Sequence, residues 1–166
     1  MQLEVFFDYA CPYCYRGHKN LLELLPDYPE LQVLWQPCEA HPRPEEYSVH
    51  SDLAIQGMYF IRDSGGDLMK YHLLVFGGMF DRGENISDPE RLSAYAAQCS
   101  VDPMAFRESL CDGRYLAELE RANELAWEEL AFGAVPSYRC NGQVIGSRDG
   151  IMVSKGTLDA FLRSLA

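Results

Sequence analysis

Leu3-Glu4-Val5-Phe6-Phe7-Asp8-Tyr9-Ala10-Cys11-Pro12-Tyr13-Cys14 is the stretch that decides how this chain folds. Its first five residues form a short β-rich run that breaks at Asp8, so they read as a strand. A helix is expected immediately beyond, because Cys14, His18, Leu21, Leu22 and Leu25 recur at helical spacing and leave Lys19 and Glu23 off the apolar stripe. Pro26 and Pro29 end it. Two cysteines two residues apart at a helix start have a specific chemical use. The first sits where open backbone N–H groups and the helix dipole favour negative charge. Thiols so placed titrate at about 3.5 to 7.5, against about 8.5 for a free thiol, so Cys11 is the expected attacking thiolate. Pro12 suits the first helical turn, where its missing N–H would have no partner. Cys14, one turn inward, is the expected resolving thiol that displaces product from a mixed disulfide at Cys11.

Working outward, Leu31-Gln32-Val33-Leu34-Trp35 alternates as a second strand, and Pro37, Pro42 and Pro44 force an irregular connection after it. From Asp52 the period becomes helical: Leu53, Met58 and Ile61 mark one helix, and Leu68 to Phe76 a second beyond Gly65-Gly66. Ser87-Asp88-Pro89-Glu90 reads as a capping box with proline in the first turn, and Asp102-Pro103 caps a further short helix. Leu116, Leu119, Asn123, Ala126 and Leu130 carry a longer helix expected to end near Gly133. Two β-runs then flank Asn141-Gly142, the dipeptide suited to a two-residue type I′ hairpin. Leu158, Phe161, Leu162 and Leu165 make the stripe of a closing helix. The order is β-α-β, a helical block, then β-β-α.

The 166 residues, 48% of them hydrophobic, suffice for one buried core with an appended subdomain. A formal charge of −11 opposes binding to nucleic acid or to anionic lipid. The sequence has no apolar run long enough for a bilayer and no leader-like start, so a cytoplasmic location with no membrane partner is expected. Half of a zinc site is the competing reading of Cys11 and Cys14, but Cys38, Cys99, Cys111 and Cys140 are solitary. Those four read as small hydrophobes, with Cys99 and Cys111 the first candidates for a second redox pair. His18 reads as a core residue and Asp8 as a strand end, with proton acceptance from Cys14 as its alternative role. Tyr59, Phe60, Tyr71, Phe76 and Phe80 read as helical core.

Phe7-Asp8-Tyr9-Ala10-Cys11-Pro12-Tyr13-Cys14-Tyr15-Arg16-Gly17, Trp35-Gln36-Pro37, Asp102-Pro103 and Val135-Pro136-Ser137 together resemble the DsbA-like branch of the thioredoxin superfamily. Within it they are most similar to the FrnE type and the 2-hydroxychromene-2-carboxylate isomerases. The resemblance implies an α/β thioredoxin fold of residues 1–40 and 134–166, with an α-helical domain inserted over 50–132. It also implies a cis proline at Pro136 facing Cys11, so that Val135, Pro136, Pro12 and Tyr13 position substrate. Pro12-Tyr13 is similar to the dipeptide of glutaredoxins, and Ser137 stands where threonine is usual.

The implied activity is thiol–disulfide exchange with protein or small-thiol substrates through Cys11 and Cys14. It needs no metal or organic cofactor, with glutathione as a possible co-substrate. Two rivals share the residues: a glutathione-dependent isomerase of the hydroxychromene-carboxylate type, and a non-enzymatic, thiol-regulated binding or chaperone module. In the isomerase group serine is usual at the position of Cys11, so the intact pair favours exchange. The direction of exchange, the natural substrate and the oligomeric state are not encoded in these motifs.

Overall fold

In the computed structural model, which describes residues 1–166, β1 (Gln2–Phe7) leads through α1 (Pro12–Leu24) and a 3₁₀ turn (Leu25–Asp27) to β2 (Gln32–Pro37). Five helices follow: α2 (Asp52–Asp63), α3 (Leu68–Phe80), α4 (Pro89–Ala97), α5 (Pro103–Cys111) and α6 (Leu116–Asn123). The last runs on as a π-helical segment (Glu124–Glu129) before β3 (Ala134–Cys140), β4 (Gln143–Ser147) and α7 (Lys155–Leu165) close the chain.

The four strands form one sheet in the order β2-β1-β3-β4. Strand β1 runs parallel to β2 and antiparallel to β3, and β3 and β4 form an antiparallel hairpin. Only the parallel pair needs a crossover, and α1 supplies it. As a central strand β1 is the most apolar: Leu3, Val5, Phe6 and Phe7 are all buried. Trp35 of β2 meets both Phe7 (centroids 5.8 Å apart) and His18 (5.4 Å), which lays α1 over that face of the sheet. Across the strands, Gln36 donates to Glu4 at 3.1 Å, and Arg139 pairs with the same carboxylate. Hydrogen bonding from Arg139 holds the Glu4 carboxyl below its usual range against the opposing effect of burial. The hairpin turns as its sequence expects, Asn141 and Gly142 both having positive φ, 50° and 78°.

The chain forms two compact units: residues 1–40 with 122–166, and residues 41–121. The motifs place the return to the sheet at 134, whereas the contacts place it at 122, because Asn123 and Trp127 bond to Glu39. The second unit packs around Ile55, Met58, Ile61, Tyr71, Phe76 and Phe106. Tyr59 and Phe60 are also buried there, while Phe80 is half-buried. Two boundaries differ from the sequence reading. Asp88, not Ser87, caps α4, because Pro89 takes the first helical position and the Asp88 carboxylate accepts the Glu90 N–H at 3.0 Å. The long helix ends at Glu129 with Leu130 as its cap and Ala131 at φ 52°, a few residues before Gly133. Its last turns are π-helical, with the Leu130 N–H reaching the Leu125 carbonyl. No helix is long and apolar enough to cross a membrane.

Candidate active site

Cys11 is the N-cap of α1, with extended backbone (φ −100°, ψ 120°) and Pro12 in the first turn. The strand ends in a turn closed by the Cys11 N–H donating to the Asp8 carbonyl at 3.1 Å. Its sulfur accepts the Cys14 N–H at 3.4 Å, the position where a capping oxygen normally sits. Cys11 is half-buried, Pro12 is exposed, and Tyr13 is 58% exposed, whereas Cys14 is only 1% exposed. The dithiol therefore has one reachable and one sheltered sulfur.

Their acidities diverge for the same reason. Hydrogen bonding from the Cys14 side chain, helped by the N–H groups of Cys14 and Tyr13, pulls the Cys11 thiol below its ordinary range despite partial burial and the nearby Asp8 charge. Burial pushes Cys14 well above that range, and its bond to Cys11 adds to the effect. The helix-start expectation for Cys11 holds in direction, but the partner sulfur is the largest cause.

Val135 and Pro136 come to the same place. The Cys11 S–H donates to the Val135 carbonyl across 3.8 Å, and the Val135–Pro136 bond is cis. This approach depends on Gly17. A Cβ there would sit 2.9 Å from Pro136 Cγ and 3.1 Å from the Tyr138 hydroxyl, so a side chain would wedge the helix from the loop. Gly17 lies inside the buried stripe of α1 between Cys14 and Leu21.

Other residues fall as follows. Asp8, 3% exposed, accepts the Ala10 N–H at 2.9 Å on one carboxylate oxygen and the Ala40 N–H at 2.8 Å on the other. His18 is buried, and desolvation pulls its pKa from 6.5 to about 4. Cys38 is buried at the end of β2, its N–H on the Phe7 carbonyl at 2.8 Å, and burial pushes its thiol up, with the Asp8 charge second. Cys99 and Cys140 are buried, Cys111 is exposed, and all six thiols are free. Glu39, Asn123 and Trp127, which border this corner, were not singled out by their local sequence. The one hint was a polar Asn123 on an otherwise apolar helical stripe.

The same fold occurs in a probable DsbA oxidoreductase of Streptomyces coelicolor (TM-score 0.79, 16% identity, covering 99% of this chain and 89% of that one). It is shared by a 2-hydroxychromene-2-carboxylate isomerase (TM-score 0.75, 17% identity, 99% and 98% covered). A cytosolic disulfide reductase, DsbM of Pseudomonas aeruginosa, determined with glutathione, is comparably similar (TM-score 0.75, 14% identity, 99% and 98% covered). With its sequence matched by the family model over residues 2–159, the chain belongs to the DSBA-like thioredoxin domain family.

Proposed function

We propose that this protein is a thiol–disulfide oxidoreductase that exchanges electrons with protein disulfides or small thiols, Cys11 attacking and Cys14 resolving. The observation that carries the reading is the opposed setting of the two sulfurs: one half-exposed at a helix cap, the other sealed one turn below. The Cys11 thiolate attacks one sulfur of a substrate disulfide, forming a Cys11–substrate bond while the other substrate sulfur leaves and takes a proton. Cys14 then loses its proton and attacks Cys11 Sγ. The substrate departs as a dithiol, reduced by two electrons, and the Cys11–Cys14 disulfide holds the oxidation. The Val135 backbone beside Cys11 offers an extended substrate chain main-chain hydrogen bonds, with Pro136 shaping the loop and Pro12 and Tyr13 presenting an exposed surface next to the sulfur.

Glutathione is the small thiol that the likeness to DsbM suggests, as a co-substrate returning Cys11–Cys14 to the dithiol. No metal or organic cofactor enters these steps. The test is insulin disulfide reduction with glutathione or dithiothreitol as electron source. Wild type turns over, Cys11→Ser falls to background, and Cys14→Ala accumulates mixed disulfides through Cys11. Turnover that survives Cys11→Ser overturns the assignment. A glutathione-dependent isomerase, the alternative chemistry on this fold, would be indifferent to Cys14→Ala.

A further inference from the structure

A run of hydrogen bonds extends from Cys14 away from the dithiol. The Asp8 main-chain N–H donates to Cys14 Sγ at 3.4 Å, and the Asp8 carboxylate accepts the Ala40 N–H at 2.8 Å. The residue before Ala40 is gripped on three sides. The Glu39 N–H donates to Asn123 Oδ1 at 2.7 Å, Asn123 Nδ2 donates to Glu39 Oε1 at 3.1 Å, and the Trp127 indole N–H donates to the Glu39 carbonyl at 2.8 Å. Glu39 is buried and Asn123 and Trp127 are half-buried, so these bonds are partly shielded from water. Trp127 lies in the π-helical segment Glu124–Glu129, and Asn123 is its cap. A wider helical turn is kept in a fold mostly where it aims side chains that a regular helix would not.

We propose that Glu39, Asn123 and Trp127 are positioning residues for the exchange reaction, acting on Cys14 through Ala40 and Asp8. The proposal rests on the reading of Cys11 and Cys14 as the exchanging pair and assigns the control of its second step. Resolution requires Cys14 to give up its proton in a fully buried site. The Asp8 N–H is the donor aimed at the sulfur from outside its own helix, and it favours the thiolate. The segment Glu39–Ala40 fixes where Asp8 sits. Loosening that segment withdraws the N–H from Cys14, leaves the Asp8 charge nearby, and makes the Cys14 thiolate harder to form. The cap sulfur of Cys11 keeps its main-chain donor within α1, so attack is expected to change less than resolution. The other titratable groups around Cys14 are Cys11 and His18 on its own helix, Tyr138 on β3 and Cys38 at the end of β2. None of them bonds to the three positioning residues in this network.

The test separates the two steps. Reduced protein is mixed with oxidised glutathione between pH 5 and 9 and quenched with acid. Mass spectrometry then follows the Cys11–glutathione adduct as it forms and as it converts to the Cys11–Cys14 disulfide. Trp127→Phe, which keeps the ring but removes the indole donor, and Asn123→Leu are expected to slow conversion by about threefold to tenfold, the effect of one lost buried hydrogen bond. The pH profile of that step should move to higher pH, while adduct formation changes less. Glu39→Ala is expected to slow conversion in the same way, and Glu39→Gln, which still accepts from Asn123, to rescue it towards the parental rate. If Asn123→Leu does not fold, Trp127→Phe decides alone. Equal slowing of both steps, or parental conversion in a folded variant that has merely lost thermal stability, overturns the proposal. If the parent protein forms neither adduct nor internal disulfide, the exchange reading itself fails, and the positioning role with it.

Discussion

Three helices of this protein begin with the same device and use it differently. Asp88-Pro89 opens α4, Asp102-Pro103 opens α5, and Cys11-Pro12 opens α1, each cap residue in extended conformation with proline directly after it. In the helical unit the cap is a carboxylate whose oxygen accepts an N–H of the first turn, from Glu90 at 3.0 Å and from Met104 at 2.9 Å. In the sheet-bearing unit a sulfur takes that place and accepts the Cys14 N–H at 3.4 Å. A carboxylate cap stabilises its helix and takes no part in disulfide exchange. A thiol cap gains most from the helix when it loses its proton, so the same donors that close a helix end also prepare a nucleophile. On the proposed function, the helical unit holds its caps for stability, and the sheet-bearing unit holds one for chemistry.

The largest effect that separates these roles is expected from Cys11→Ser. Serine is a preferred N-cap, so α1 should remain closed and the unfolding midpoint should stay at or above that of the parent. Disulfide exchange should nonetheless fall to background, since an alcohol cannot form the mixed disulfide. Thermal unfolding by circular dichroism and insulin turnover on the same sample check both halves. A variant that unfolds early would show that the cap thiol has a structural duty which serine cannot meet.

Helix α1 differs from α4 and α5 again in carrying a buried imidazole on its packed face. His18 has a folded-state pKa of about 4 against 6.5 for the exposed group, because burial disfavours the imidazolium. Between those values the unfolded chain takes up a proton that the folded protein refuses. Stability from the neutral ring is therefore complete above pH 6.5 and is lost as pH falls towards 4, by up to about 3 kcal/mol. Urea unfolding at pH 7 and pH 4.5 should show His18→Gln narrowing its deficit against the parent at the lower pH. A deficit that is the same at both values would mean that the ring titrates normally.

Much of this corner was legible locally. The break at Asp8, the stripe through Cys14, His18 and Leu21, and the turn pair Asn141-Gly142 each depend on residues a few positions apart, where period and backbone preference speak directly. The meeting of Cys11 with Val135 and Pro136 joins residues 124 apart, and only the family resemblance pointed to it. Beyond the polar Asn123 on an apolar stripe, the grouping of Glu39, Asn123 and Trp127 left no local trace, because their bonds span 84 and 88 residues. No run of neighbours encodes such a pairing. The π-helical turns, ending at Glu129 before a left-handed Ala131, escaped because a glycine is the expected residue after a helix end and here an alanine takes that conformation.

Gly17 marks where α1 is constrained in a way that α4 and α5 are not. Placing alanine in a helix interior ordinarily stabilises by about 1 kcal/mol over glycine. Here the added methyl meets Pro136 Cγ at 2.9 Å, and a proline ring has little freedom to turn away. Overpacking of about 1 to 3 kcal/mol outweighs the gain, so Gly17→Ala should be net destabilising by about 1 kcal/mol. It should also lower exchange by shifting the Val135 carbonyl from Cys11. Urea unfolding with turnover on the same variant tests this, and a more stable, fully active protein would show that the loop yields freely.

The smallest effect is expected at an ordinary cap, and it completes the contrast with Cys11. Asp102 accepts the Met104 N–H at 2.9 Å at the start of α5, the same geometry without redox chemistry. Asp102→Ala removes that acceptor and the negative charge at the helix start, a loss of about 1 kcal/mol. Asp102→Ser restores most of it, since a hydroxyl oxygen caps almost as well. Both variants should retain parental insulin turnover and parental alkylation of Cys11, because nothing in the exchange steps passes through α5. Denaturant unfolding of the parent and the two variants, with initial turnover rates below the transition, measures the two quantities together. If turnover fell in step with stability at Asp102, the cap at Cys11 could no longer be set apart by its chemistry, since disturbing any helix start would then disturb exchange.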